Sequence, residues 1–142
     1  MKRIILIAAT VLLAACGGGG GGGSATRTLT GDVTLYDLDM ISDQVGGPCT
    51  GQGGFNDLRD GAPVVVKDGA GKIVATGQLG AGKRIGVNGA TTVSTECRFP
   101  VTVSGIPASD FYQVEVSRRG AQTYSLADLE TATWQVHLTI GK

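Results

Sequence analysis

The carboxylates in the first half of the chain are the side chains whose spacing could hold a metal ion or do acid–base chemistry. Asp37, Asp39 and Asp43 lie close together, and Asp57 and Asp60 follow further along. Calcium binds several carboxylate and carbonyl oxygens at once, which makes Asp37, Asp39 and Asp43 weak calcium candidates, although they lack the EF-hand spacing and its turn glycine. A small hydrolase would instead use a carboxylate site around Asp37, Asp39 and Asp57.

Two other chemistries are disfavoured by the residues present. His137 is the single histidine and no G-x-S-x-G motif occurs, so a Ser-His-Asp site is not expected, and His137 is predicted to be a solvated strand residue. Residues 77–83 match the first seven positions of a phosphate-binding loop. However, Arg84 occupies the position of the magnesium-binding Ser or Thr, and a glycine-broken segment follows where a helix is needed. No nucleotide and no cofactor are therefore expected.

Composition limits the range of partners. The chain has 142 residues, with 12 basic and 12 acidic side chains, which is the size of one domain and argues against nucleic-acid binding. The basic residues Lys83, Arg84, Arg98, Arg118 and Arg119 could converge into a patch for acidic envelope polymers or lipid headgroups. Because neighbouring residues on a strand point to opposite faces, we expect a scattered, solvated set instead.

The elements that must position these residues are predicted to be strands. Apolar and polar residues alternate over several segments, and residues 93–103 form the longest such stretch. Residues 64–66 and 72–76 flank a turn cluster at 68–71, which predicts a β-hairpin. Pro100 has no N–H to donate, which predicts a sheet edge or a bulge at that position.

One short helix is predicted near residues 125–132. Ser125 and Asp128 fit an acidic capping box, and Leu126 and Leu129 recur at helical spacing. With short strands and no long helix, the sequence predicts an all-β protein, a single β-sandwich or small barrel. The architecture resembles immunoglobulin-like or transthyretin-like domains at the level of the hairpin and strand pattern.

The N-terminus is predicted to be a targeting segment. Lys2 and Arg3 precede an apolar run that is too short to span a bilayer. The run ends in Leu13, Ala14, Ala15 and Cys16, which match the lipobox of bacterial lipoproteins. This resemblance implies a signal peptide over residues 1–15, diacylglyceryl transfer to the Cys16 sulfur, and cleavage before it. Residues 16–27 then form the lipidated cysteine with a glycine-rich flexible tether, and residues 28–142 the β-sandwich domain.

The remaining cysteines are predicted to form a disulfide. With Cys16 assigned to lipid, Cys49 and Cys97 are the one pair left in an exported domain, where disulfides persist. A catalytic thiol or a zinc site is the alternative, but no C-x-x-C motif occurs.

A second resemblance covers most of residues 28–141. The segments at 49–57, 111–116 and 118–120 resemble a small exported two-cysteine β domain of unknown function found in lipoproteins of high-GC Gram-positive bacteria. The same resemblance extends to residues 123–125 and 134–136. It implies an extracytoplasmic location and a Cys49–Cys97 bond, and it supplies no mechanism.

Together these features predict a lipid-anchored protein on the extracytoplasmic face of the cell membrane. We expect a non-enzymatic interaction or accessory module of the cell envelope, whose partners are the membrane, through the anchor, and an envelope protein or polymer. The alternatives are the small hydrolase and a calcium-stabilised structural module, both using the region of Asp37, Asp39 and Asp57.

Overall fold

Strands dominate the folded part of the chain. The computed structural model describes residues 25–36, 44–86 and 94–141, and within these ranges it contains nine strands, one 3-10 turn and one α-helix. In chain order they are β1 (Arg27–Tyr36), β2 (Pro48–Cys49), the 3-10 turn (Gly53–Phe55), β3 (Pro63–Asp68), β4 (Ile73–Leu79), β5 (Gly82–Ile85), β6 (Glu96–Ile106), β7 (Phe111–Val116), β8 (Ala121–Ser125), α1 (Leu126–Thr131) and β9 (Gln135–Ile140). The prediction of an all-β protein with one short helix is confirmed.

The strands form one curled, mostly antiparallel sheet with the shape of a half-barrel. The order across the sheet is β8-β7-β3-β4-β6-β1-β9, and β5 and β2 extend from β6 beside the end of β4. The predicted hairpin is present as β3 and β4, and Asp68 closes its turn by accepting from the backbone N–H groups of Ala70 and Lys72. A single curled sheet is nearer to the small barrel of the sequence prediction than to a sandwich.

The first and last strands lie side by side. β1 pairs antiparallel with β6 on one edge and parallel with β9 on the other, with Thr30 opposite Gln135 and Leu35 opposite Ile140. Gly31 makes this approach feasible, because a Cβ there would lie 1.8 Å from the carbonyl O of Val136. Its φ of 147° is also one that other L-residues rarely adopt.

Pro100 lies inside the sheet, so the predicted edge position was wrong. β6 is a central strand, and its neighbour on one side changes from β5 at Arg98 to β4 at Val101. The carbonyl O of Pro100 accepts from Gly80 N–H at 2.8 Å, on the side of that change. The backbone N and O of one strand residue point to the same side of the strand. The N of Pro100 therefore faces the place where the partner changes from β5 to β4, and no ladder hydrogen bond from an N–H is required there.

The core fills the concave side of the sheet. Alternate residues of β6 and β1 point inward and are fully buried, among them Phe99, Leu35 and Val33. Tyr112 is also fully buried, and its ring meets Trp134 edge-on with the centroids 5.3 Å apart. The Tyr112 hydroxyl donates to the carbonyl O of Pro107 and accepts from Ser109 N–H, so burial leaves it satisfied.

The predicted helix and the predicted disulfide are both present. Ser125 is the N-cap of α1, and its hydroxyl accepts from Asp128 N–H while the Asp128 carboxylate accepts from Ser125 N–H, which completes the capping box. The Ser125 hydroxyl also donates to the Asp128 carboxylate at 2.6 Å, and this bond, together with the one from Ser125 N–H, lowers the pKa of Asp128. Cys49 on β2 is bonded to Cys97 on β6. None of the helical segments in the described ranges has the length and apolar composition that crossing a membrane requires.

Candidate functional site

A cleft of about 1040 Å³ lies at one end of the half-barrel. Three chain segments meet there: the loop that follows the 3-10 turn, the β7–β8 turn, and the end of β9. We call it the loop cleft, and its charged and aromatic lining comes from Phe55, Asp57, Arg59, Asp60, Arg118 and Arg119. Loops carried by a rigid sheet are common positions for binding residues, which makes this cleft the leading site candidate.

Arg119 is the most constrained side chain of the loop cleft. Its guanidinium binds both carboxylate oxygens of Asp57, with Nε 3.1 Å from Oδ2 and Nη2 bonded to Oδ1. Nη2 also donates to the carbonyl O of Gly54 at 2.6 Å, and the guanidinium carbon lies 4.6 Å from the centre of the Phe55 ring. A bidentate, charge-assisted pair of this kind fixes geometry as well as adding energy.

This ion pair decides what Asp57 can do. The hydrogen bonds from Arg119 lower the pKa of Asp57 and outweigh the opposing effect of burial, and a hydrogen bond from Ser117 acts in the same direction. The carboxylate is therefore ionised and already neutralised by a bound guanidinium, which makes it a poor general acid and a poor calcium ligand. The other carboxylates named for the hydrolase and calcium alternatives, Asp37, Asp39 and Asp43, lie outside the described residues, as does Cys16.

Arg59 and Arg118 also face the loop cleft. Both are exposed, and unlike Arg119 neither side chain has a hydrogen bond or an ion pair within the part of the chain that the structure describes. Asp60 lines the same cleft and is likewise exposed, and among those residues its carboxylate has no partner either. Sequence analysis did not predict that Arg59 and Arg118 line the same cleft, because they are far apart in the chain and no local pattern links their loops.

The predicted basic set does not form one patch. Arg118 and Arg119 follow β7 in a turn rather than on a strand, since β7 ends at Val116 and Ser117 takes a φ of 54°. Both therefore line one cleft instead of pointing to opposite faces. Lys83 and Arg98 lie elsewhere, on the outer face of β5 and β6, beside a depression of about 460 Å³.

A second polar group lies on the outer face of the sheet, across β9, β1 and β6. His137 Nδ1 is 2.8 Å from Asp32 Oδ2, and Arg98 Nε is 3.8 Å from Asp32 Oδ1. The Thr34 hydroxyl lies 3.4 Å from both Asp32 Oδ1 and Arg98 Nε. His137 remains largely exposed, as the sequence predicted, yet its carboxylate partner was missed because the parallel pairing of the first and last strands cannot be read from local alternation.

The same face continues to Tyr36 and Glu96, which are opposite each other on β1 and β6. A hydrogen bond with Glu96, and the charge of that carboxylate, raise the pKa of Tyr36. With the Thr34 hydroxyl engaged by Asp32 and Arg98, these side chains form a cross-strand network around a shallow pocket of about 290 Å³. In the described ranges, no three His, Cys, Asp or Glu side chains are grouped closely enough to hold a metal ion.

The side chains at the two sites indicate what each site can do. Neither site contains a free nucleophile–base pair among the described residues, and the loop cleft combines unpaired charge with a fixed framework. Comparison with known proteins found no match to a protein family, to a curated protein or to a solved structure.

Proposed function

We propose that the protein is a lipoprotein held on the extracytoplasmic face of the cell membrane. Its disulfide-bridged β domain would serve as a non-enzymatic interaction module of the cell envelope. The observation that carries this proposal is the lipobox ending in Cys16, followed at once by a glycine run and then by a domain that pairs its other two cysteines.

The disulfide supports an exported location. Cys97 is fully buried and Cys49 nearly so, and their bond joins two strands of the sheet. Bonds of this kind persist in oxidising compartments and are rare in the cytosol. With both domain cysteines consumed, Cys16 is the thiol left for acylation.

The spacing between anchor and domain supports an interaction close to the membrane. About ten residues separate Cys16 from the start of β1 at Arg27. A glycine-rich chain of that length has a root-mean-square reach of roughly 17 Å. Two or more acyl chains bind a membrane firmly, so the loop cleft would remain within reach of neighbouring envelope components.

The anchor is tested by changing its sulfur. Wild-type protein should partition with membranes, and mass spectrometry of the mature N-terminus should show Cys16 as the first residue carrying acyl chains. Cys16→Ser should be released from the membrane or left unprocessed, whereas the control Ser24→Ala, in the tether, should behave like wild type. Membrane retention of Cys16→Ser equal to wild type, or a mature sulfur without lipid, would refute the anchor.

The interaction role is tested separately with a photo-crosslinking residue in intact cells. Placed at Arg118, at the rim of the loop cleft, it should give an adduct with an envelope protein or polymer. Placed at Lys72, in the exposed β3–β4 turn, it should not. Adducts at neither position, or at both equally, would contradict an interaction surface at the cleft.

A further inference from the structure

We propose that the loop cleft binds an anionic envelope polymer, a glycan or polyol chain bearing phosphate or carboxylate groups, through Arg59 and Arg118. This inference rests on the proposed function, because the extracytoplasmic location is what presents the cleft to such polymers. It adds a ligand class and two binding residues to that function.

Arg59 and Arg118 have the side-chain chemistry to bind anionic groups. Arg59 and Arg118 come from different loops, face one cleft, and form no ion pair within the described ranges. A guanidinium offers a planar fork of N–H donors that matches a carboxylate or phosphate in bidentate geometry, and it is weakly hydrated for a cation. Two such forks facing one space can bind successive anionic groups of a repeating chain.

An ion pair joins the two loops that carry Arg59 and Arg118. Asp57 belongs to the loop that carries Arg59, and Arg119 belongs to the turn that carries Arg118. The Asp57–Arg119 ion pair therefore joins the two loops that carry Arg59 and Arg118. Arg119 is in this sense a positioning residue.

The turn that carries Arg118 is also strained in a way that the surroundings maintain. Ser117 adopts a φ of 54°, in the left-handed region that residues other than glycine rarely adopt. Its N–H donates to the carbonyl O of Pro63 at 2.8 Å, which holds the turn against the start of β3. Such strain tends to occur where a loop is held for binding.

The size and the lining of the cleft also suit a polymer segment. Its volume of about 1040 Å³ is just above the range for pockets that enclose small molecules, roughly 300–1000 Å³. The cleft is open to solvent, and Phe55, Pro63 and Ile140 add apolar surface to its wall. A polymer segment can lie in such a cleft with its carbon skeleton on the apolar side and its anionic groups on the arginines.

Overall charge does not provide the attraction. Loss of residues 1–15 removes Lys2 and Arg3, which leaves 10 basic and 12 acidic residues and a net charge of −2. Binding of a polyanion must then come from a local set of cations. Asp60 opposes it, because its carboxylate lines the same cleft and has no partner within the described residues, and this gives the proposal a test of opposite sign.

The experiment measures binding of two probe polymers to the full-length chain in detergent by isothermal titration calorimetry. One probe is poly(glycerol phosphate) and the other is polygalacturonate, so that the arms separate phosphate from carboxylate recognition. Arg59→Gln and Arg118→Gln should each weaken binding about fivefold, as loss of one exposed charge pair does. Asp60→Asn should strengthen binding by a similar factor, and added salt should weaken it.

Lys72→Gln is the matched control. It removes the same charge from an exposed side chain in the turn beyond the far end of β3, which is about 17 Å from the cleft at a rise of about 3.3 Å per residue. Its affinity should equal that of wild type. Urea midpoints of all variants should also match wild type, because Arg59, Arg118 and Asp60 are exposed and have no side-chain hydrogen bond or ion pair within the described residues.

The outcomes separate this inference from the anchor. Binding of either polymer with the expected order of variants supports the proposal and identifies the charged group. Absence of binding to both, equal weakening by Lys72→Gln, or no gain from Asp60→Asn overturns it. Cys16→Ser should bind the polymers like wild type, so failure of the anchor and failure of the cleft give different results.

Discussion

Removal of the Cys49–Cys97 bond should lower the stability of the domain by about 4 kcal/mol. The two cysteines are 48 residues apart in sequence. For a closed loop of that length the chain-entropy relation gives about 14 cal/mol/K, or about 4 kcal/mol at room temperature.

The assay is urea unfolding of the double variant Cys49→Ala/Cys97→Ala, followed by the fluorescence of Trp134, the single tryptophan, which is nearly buried. At a slope of about 2 kcal/mol/M, the expected loss moves the midpoint down by about 2 M. Cys16→Ser is the control, since it removes a sulfur outside the bridge and should leave the midpoint unchanged. A double variant within about 1 kcal/mol of wild type would refute the loop-entropy reasoning.

Three further predictions concern the sheet and the loop cleft. Gly31→Ala should destabilise the domain by about 3 kcal/mol or prevent folding, because the new Cβ would lie 1.8 Å from the Val136 carbonyl O. The control is Gly69→Ala, whose Cβ would meet only Phe111 at 3.5 Å. It should be nearly neutral in the same urea assay. Tyr112→Phe should cost about 1–3 kcal/mol, since it leaves the Ser109 N–H and the Pro107 carbonyl O without their partner; an unchanged midpoint would show that water replaces the hydroxyl. Asp57→Asn should cost about 1 kcal/mol at neutral pH. Because Arg119 lowers the folded-state pKa of Asp57, the stabilisation is complete above the unfolded pKa of about 4 and is lost as the pH falls through the lower folded value; a difference between wild type and variant that persists unchanged at pH 2 would contradict the assignment.

Local sequence patterns were sufficient for most of the elements. Alternation placed Val114 and Val116 on one buried face, and the spacing of Ser125 and Asp128 predicted the capped helix within a residue or two. These features depend on neighbours two to four residues away, which a sequence displays directly. The disulfide followed from the count of cysteines and the expected compartment, without any geometry.

Long-range pairing was not accessible in the same way. Nothing local indicates that β9 runs parallel to β1, so the contact of His137 with Asp32 was missed. The change of partner strand beside Pro100 was missed for the same reason, because it depends on where β4 ends and β5 begins in space. Pattern rules describe one strand at a time, whereas sheet order is a property of the whole chain.

The candidate site followed the same division. Asp57 was singled out for its acidity, yet its role is set by Arg119, which lies 62 residues further along the chain. Arg59 and Arg118 line one cleft, and they belong to the two loops that this same contact joins. The types of the side chains were visible in the sequence, and their arrangement was supplied by tertiary structure.

The parallel pairing of the first and last strands has a mechanical consequence. In the proposed lipoprotein the tether would join the domain at Arg27, at the start of β1, whereas the loop cleft includes the end of β9. Since the two strands run in the same direction, the cleft lies at the opposite end of β1 from Arg27. Tension between a membrane anchor and a ligand held in the cleft would thus be directed along the strands. The hydrogen bonds that flank β1 would then share this load in shear, instead of being pulled apart one after another.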